Sequence, residues 1–229
     1  DLKSGSPTGG PFRPIKTSGD VEICEHMPLM AKQMHHMAIV RSMSTREADH
    51  MRGRYYMHTG YVPNPSITHP SYGAVLSHQL KREELDIPQF VSVGSASIGA
   101  GFLGMKHSPF VVNSDGRVRN LNMKIDERFF QRAYALDLLE NNFISQNRGS
   151  IAKDHRDVLK QTFDVLTSKE MEAFKVAGEP ENVKERYGDN GFGKGCLMAR
   201  RLVEAGVPFI EVNLGGWDNH QNIFPTLRD

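Results

Sequence analysis

The sequence predicts an α/β fold on three observations. Short apolar, β-branched runs read as buried strands, longer amphipathic segments separate them, and capping residues or glycines stand where the two meet. The first twenty residues, with "SGSPTGGPFRP", read as an irregular surface segment in which no core begins. In "EHMPLMAKQMHHM" the residues Met27, Met30, Met34 and Met37 recur at near-helical spacing after Pro28, which suits a first helical turn, so an amphipathic helix is expected. "AIVRSM" (38–43) reads as a buried strand, "FVSVGS" (90–95) and "PFVV" (109–112) as two more. Asp126 is placed to cap a long helix over "ERFFQRAYALDLLENNF", and "HRDVLKQTFDVL" forms a second. Thr167 to Glu170 has the spacing of a capping box opening a third. "GCLMARRLVEAG" then reads as a helix stopped by Gly206, followed by the strand "VPFIEVNL" and the turn "GGWDNH". The expected organisation is a single domain over residues 1–229 with a helical block at about 125–187.

Composition narrows the function. The 28 Lys plus Arg against 27 Asp plus Glu in 229 residues leave no net charge that would draw the chain to nucleic acid or to a membrane surface. No apolar run approaches the roughly 20 residues a membrane-spanning helix needs. Cys24 and Cys196 are too few and too far apart for a structural zinc site, and spacing leaves their pairing open. The chain opens at Asp1 and stops nine residues after His220, so a fragment of a longer protein is expected.

Three motifs bear on chemistry. "GDNGFGKG" places Gly188, Gly193 and Lys194 at the spacing of a phosphate-binding loop. Gly195 stands where a metal-binding hydroxyl belongs, and the residues before it are polar and helix-like, so a glycine turn is the better reading. In "GGWDNH", Asp218 and His220 follow a predicted central parallel strand at about 208–214, where α/β sheets gather their ligand sites. Residues i and i+2 of an extended segment point the same way, so this pair reads as half of a metal site or as an ordinary polar turn. "ADHMRGRYYMHTGY" (48–61) places His50, Arg52, Arg54 and His58 after the 38–43 run. If that strand lies beside the one at 208–214 and His50 opens the helix that follows it, the two polar clusters share one site.

"GPFRPI", "EHMPLMAKQMHHMAIVRSM", "DHMRGRYYMHTGY", "HPSYGAVLS" and "RYGDNGFGKGCLMARRLVEAGVPFIEVNLGGWDNH" resemble the bacterial family known as domain of unknown function 1501, over nearly the whole chain. That family is similar to the alkaline phosphatase and sulfatase superfamily, α/β sheets with Asp and His metal ligands at strand ends. The resemblance implies an alkaline-phosphatase-like sheet flanked by helices, here a fragment lacking the N-terminal strand and the C-terminal part. It implies export to the periplasm or beyond the cell, and a divalent ion (Zn, Mn or Ca) held by Asp218, His220 and His50. Laid on Thr59 and Gly60, the sulfatase nucleophile motif puts His50 at the nucleophile and Arg54 at its supporting arginine. Arg52 and Gly53 replace its Pro and Ser, so formylglycine chemistry is not expected, and His50 is left as ligand or nucleophile. The function expected is metal-dependent hydrolysis of small-molecule or glycan esters of phosphate or sulfate, with His50 and Arg54 catalytic. The alternative is a non-catalytic exported protein that binds an anion or a glycan.

Overall fold

A computed structural model describes residues 9–82, 84–95, 98–113, 126–146 and 151–228. The chain divides into two units, Asp1–Arg46 with Gly215–Asp229, and Glu47–Leu214.

The first unit is built on an antiparallel hairpin of β1 (Pro14–Lys16) and β2 (Glu22–Cys24), with Ile15 opposite Ile23. The segment read as irregular therefore supplies a strand, and a small core lies just past it: Ile23 packs with Ala31 and Met34, and Ile15 packs against them. The methionine-rich stretch forms one α-turn, α1 (Pro28–Ala31), and a separate 3-10 turn at Met34–His36, instead of one helix. Ser18 explains the break. Its amide donates to the Ala31 carbonyl (2.9 Å), its hydroxyl donates to the Lys32 carbonyl (3.0 Å), and the His35 amide donates to that hydroxyl (3.2 Å). The Ala31 carbonyl and His35 amide that a continuing helix would join to each other are thus both engaged by one residue of the hairpin. Residues 38–43 form no strand, and Ile39, Val40 and Met43 are exposed. A short apolar run carries no information about whether a pairing partner exists.

The second unit holds a parallel sheet of three strands in the order β4-β3-β5, where β3 is Phe90–Val93, β4 is Phe110–Val112 and β5 is Phe209–Val212. The molecule is thus mixed α/β. All three strands fall within the runs expected from sequence, but β3 is central and β5 an edge among the described residues. All four residues of β3 are buried, as a strand covered on both faces requires. Its one polar side chain is satisfied: Ser92 donates to the Ser95 carbonyl (2.7 Å) and accepts from Asn213 Nδ2 (3.1 Å).

Helices α2 (His50–Thr59) and α3 (Tyr72–Gln79) precede the sheet, each capped by a side chain, Asp49 and Ser71 respectively. Asp126 caps α4 (Glu127–Ser145) as expected, and α4 packs on α5 (Ile151–Thr167) through Phe129 stacked on Phe163 and through Glu140 bonded to His155. The expected capping box is displaced by one residue, because Ser168 rather than Thr167 caps the 3-10 turn Lys169–Phe174. After α6 (Glu181–Tyr187), α7 (Gly191–Glu204) starts earlier than its apolar pattern suggests. Asn190 accepts from the Gly193 amide (2.8 Å), which brings the glycine stretch into the helix. The stop is as read: Gly206 is left-handed (φ 95°), the Val207 amide reaches the Leu202 carbonyl and the Gly206 amide the Val203 carbonyl, both at 2.9 Å.

Gly193 sits where α7 begins against the end of α6. A Cβ added there would lie 1.9 Å from the Tyr187 carbonyl oxygen, a backbone atom that a rotamer change cannot move. Gly193→Ala is expected to destabilise the protein by about 1–3 kcal/mol, the range for overpacking. Urea unfolding checks this, with Gly53→Ala as the control, since nothing stands within 4 Å of a Cβ at Gly53.

Candidate functional site

The carboxyl ends of the three parallel strands carry small polar residues. Gly94 follows β3 with φ 99°, Asn113 follows β4, and Asn213 follows β5, its amide bonded to the Val93 carbonyl (2.8 Å). These are the ends at which parallel α/β sheets hold ligands. Beyond β5 the chain passes at Gly215 into the first unit.

There the predicted pair converges. His220 Nε2 lies 2.8 Å from Asp218 Oδ1, and both side chains are mostly exposed, at 81% and 57%. The backbone between them is held by Asn219, whose amide donates to the Trp217 carbonyl and whose side-chain amide donates to the Gly216 carbonyl, both at 3.1 Å. Gly216 is left-handed (φ 89°), a conformation that L side chains rarely adopt. Close backbone approach is not its purpose, since nothing lies within 4 Å of a Cβ at Gly215 or Gly216. The glycine pair turns the chain so that the carboxylate and imidazole of an i, i+2 pair meet.

His50 belongs to the second unit, where it is the first residue of α2, as expected, and is exposed. Arg54 and His58 follow at intervals of four, so all three occupy one face of α2. At the far end of that face His58 Nδ1 stands 3.8 Å from Glu211 Oε2, joining α2 to β5. The sequence reading passed over Glu211; its signal was an acid inside an otherwise apolar strand. Arg52, grouped with His50 and Arg54 in sequence, is engaged elsewhere: its guanidinium forms two bonds to Glu47, at 2.6 and 3.1 Å, and this partner raises its pKa. Lys194, the lysine of the near-miss phosphate loop, lies in α7 and is paired at 2.5 Å with Asp189, which precedes the helix's cap Asn190. That glycine stretch is a helix start and not a loop wrapped around a phosphate.

A smaller cavity of about 320 Å3 in the second unit contains Ser77 and His107, whose Oγ and Nδ1 are 3.2 Å apart. Ser77 gives its proton to the Ala74 carbonyl (3.0 Å), so His107 Nδ1 is the donor to Ser77, the reverse of what a general base requires. Burial, and then the nearby His78, Lys106 and Lys81, push the His107 pKa below its ordinary 6.5, with Asp157 opposing. A histidine whose pKa is lowered in the folded state binds fewer protons than the unfolded chain near and below that ordinary value. Stability is therefore unaffected above about pH 6.5 and falls as pH drops below it. His107→Gln is expected to flatten this part of the stability profile, which thermal unfolding between pH 7.5 and 5 measures; an unchanged slope would refute it.

Residues 6–229 match the family described as "Protein of unknown function (DUF1501)". The chain belongs to this DUF1501 family. No curated protein and no solved structure matches it. Among the described residues no helix is long and apolar enough to cross a membrane, and both cysteines are free thiols.

Proposed function

We propose that this DUF1501 protein is a metal-dependent hydrolase of phosphate or sulfate esters with an alkaline-phosphatase-like sheet, acting on a small-molecule or glycan ester in the periplasm or outside the cell. The observation that carries the reading is the convergence of Asp218 Oδ1 and His220 Nε2 to 2.8 Å in the segment that follows β5 along the chain. One carboxylate and one imidazole form a donor set that suits Zn or Mn; it suits Ca less, because Ca prefers oxygen ligands throughout. Asp218 and His220 are the ligands in this reading. His50 is the third, taken from its place in the sequence at the start of α2. When bound, such an ion polarises an ester oxygen and lowers the pKa of bound water.

The chain's own residues do the rest. Arg54, one turn after His50, offers a planar guanidinium that pairs two anionic ester oxygens and orients the substrate. With no Cys or Ser at the position of the sulfatase nucleophile, His50 also serves as nucleophile if it is not engaged as ligand. The test is turnover of an aryl phosphate, a phosphodiester and an aryl sulfate with added Zn²⁺ or Mn²⁺, each repeated with chelator. Chelator-sensitive release of product supports hydrolysis. Tight anion or glycan binding with no turnover of any of the three points to the non-catalytic alternative.

A further inference from the structure

The first unit contains an open groove of about 1440 Å3, separate from the ester-hydrolysis reading, and sulfur lines it. Cys24, Met27, Met30, Met34 and Met37 all face it, with His26. Methionines at helical spacing ordinarily fill a core, and Met34 does so, at 2% exposure. Its neighbours do not: Met27, Met30 and Met37 are 42–48% exposed. Backbone geometry gathers the donors. The Met27 amide donates to the Cys24 carbonyl (3.0 Å), closing one turn from Cys24 to Met27, and the Ala31 amide donates to the Met27 carbonyl (3.0 Å), which places Met27, the N-cap of α1, and Met30 within the same turn. A thiol, two thioethers and an imidazole from seven consecutive residues thus line the groove. Hard ions such as Ca²⁺ bind such donors poorly; a thiolate and an imidazole also suit Zn²⁺, and it is the two thioethers that favour the softer Cu(I).

We propose that this groove binds a soft monovalent cation of the Cu(I) class, with Cys24, Met27 and Met30 as ligands and His26 and Met37 at the rim. Trp217, the only tryptophan in the sequence, lines the same groove and reports on it. The probe is Ag(I), a soft cation that does not change oxidation state on titration, followed by Trp217 fluorescence. Every variant carries Cys196→Ser and His220→Ala, which removes the other thiol and the imidazole of the Asp218–His220 pair. Saturable binding of one Ag(I) is expected, and Zn²⁺ should not compete. Met27→Leu with Met30→Leu keeps the apolar volume and removes both thioethers, and should weaken Ag(I) binding by more than the roughly 10–100-fold that loss of a merely supporting residue costs. Cys24→Ser should weaken it too. Undiminished affinity in the double leucine variant would overturn the site, since Cys24 alone would then account for the binding. So would displacement by equimolar Zn²⁺. Thermal transitions of the leucine variant within a few degrees of the parent exclude misfolding as the cause.

Discussion

Phe90→Ala is expected to lower the unfolding free energy by about 3–5 kcal/mol, the range for removing a buried aromatic ring. Phe90 opens the central strand at 2% exposure and meets Phe209 of β5 edge to face, with centroids 5.2 Å apart. It also packs with Ala74 of α3 and with Ala100. The fit extends to Gly73, where a Cβ would come within 2.6 Å of both Phe90 and Phe209. Alanine at position 90 therefore opens a void that α3, β3 and β5 all border. Surrounding backbone that is already in contact cannot collapse to fill it. Urea unfolding measures the loss, and a cost below about 1 kcal/mol, the level of a volume-conserving swap, would show that the two rings do not share one packed layer.

The second large effect concerns chemistry. Asp218→Ala, His220→Ala and His50→Ala should each reduce metal-dependent ester hydrolysis by about 100-fold or more. Loss of the ion's charge stabilisation is worth several kcal/mol, and each 1.4 kcal/mol is about tenfold in rate. Arg54→Ala should act mainly through substrate orientation and be smaller for the monoanionic sulfate ester than for the dianionic phosphate monoester. Lys194→Ala should leave turnover intact, because Lys194 of α7 is paired with Asp189, just ahead of that helix. Steady-state kinetics on folded variants separate these outcomes. If Lys194→Ala alone removed activity, the chemistry would lie at the glycine stretch and not at the Asp218–His220 turn.

What could be read from the sequence depended on whether the deciding interaction was local. The helix of residues 191–204 ends on Gly206 as expected, because a Schellman turn is written in the few residues that form it. Asp126 at the start of α4 and His50 at the start of α2 follow the same logic. β3 was recognisable since a strand buried on both faces needs a continuous apolar run, and the half-buried β5 from the apolar residues on either side of Glu211. Two misreadings are local, the one-residue shift of the cap to Ser168 and the start of α7 at Asn190, and the larger ones involve distant partners. Ser18 lies well before the methionine stretch yet divides it into two short turns, and residues 38–43 have a strand's composition without a strand's pairing. The position of β5 at the sheet edge is likewise a matter of topology, which the strand's own residues do not encode. At the candidate site, the Asp218–His220 pair was legible from its i, i+2 spacing, whereas the His58–Glu211 contact joins segments about 150 residues apart.

The measurement closest to the central claim is calorimetric titration of the metal-free protein with Zn²⁺ and Mn²⁺. One equivalent should bind to the wild type, and Asp218→Ala and His220→Ala should each weaken binding by more than the roughly 10–100-fold that loss of a merely supporting residue costs. His58→Ala, which alters the contact with Glu211 and no proposed ligand, should bind as the wild type does. Undiminished affinity in both Asp218→Ala and His220→Ala, with thermal transitions like that of the wild type, would contradict the account and leave "GGWDNH" as a polar turn.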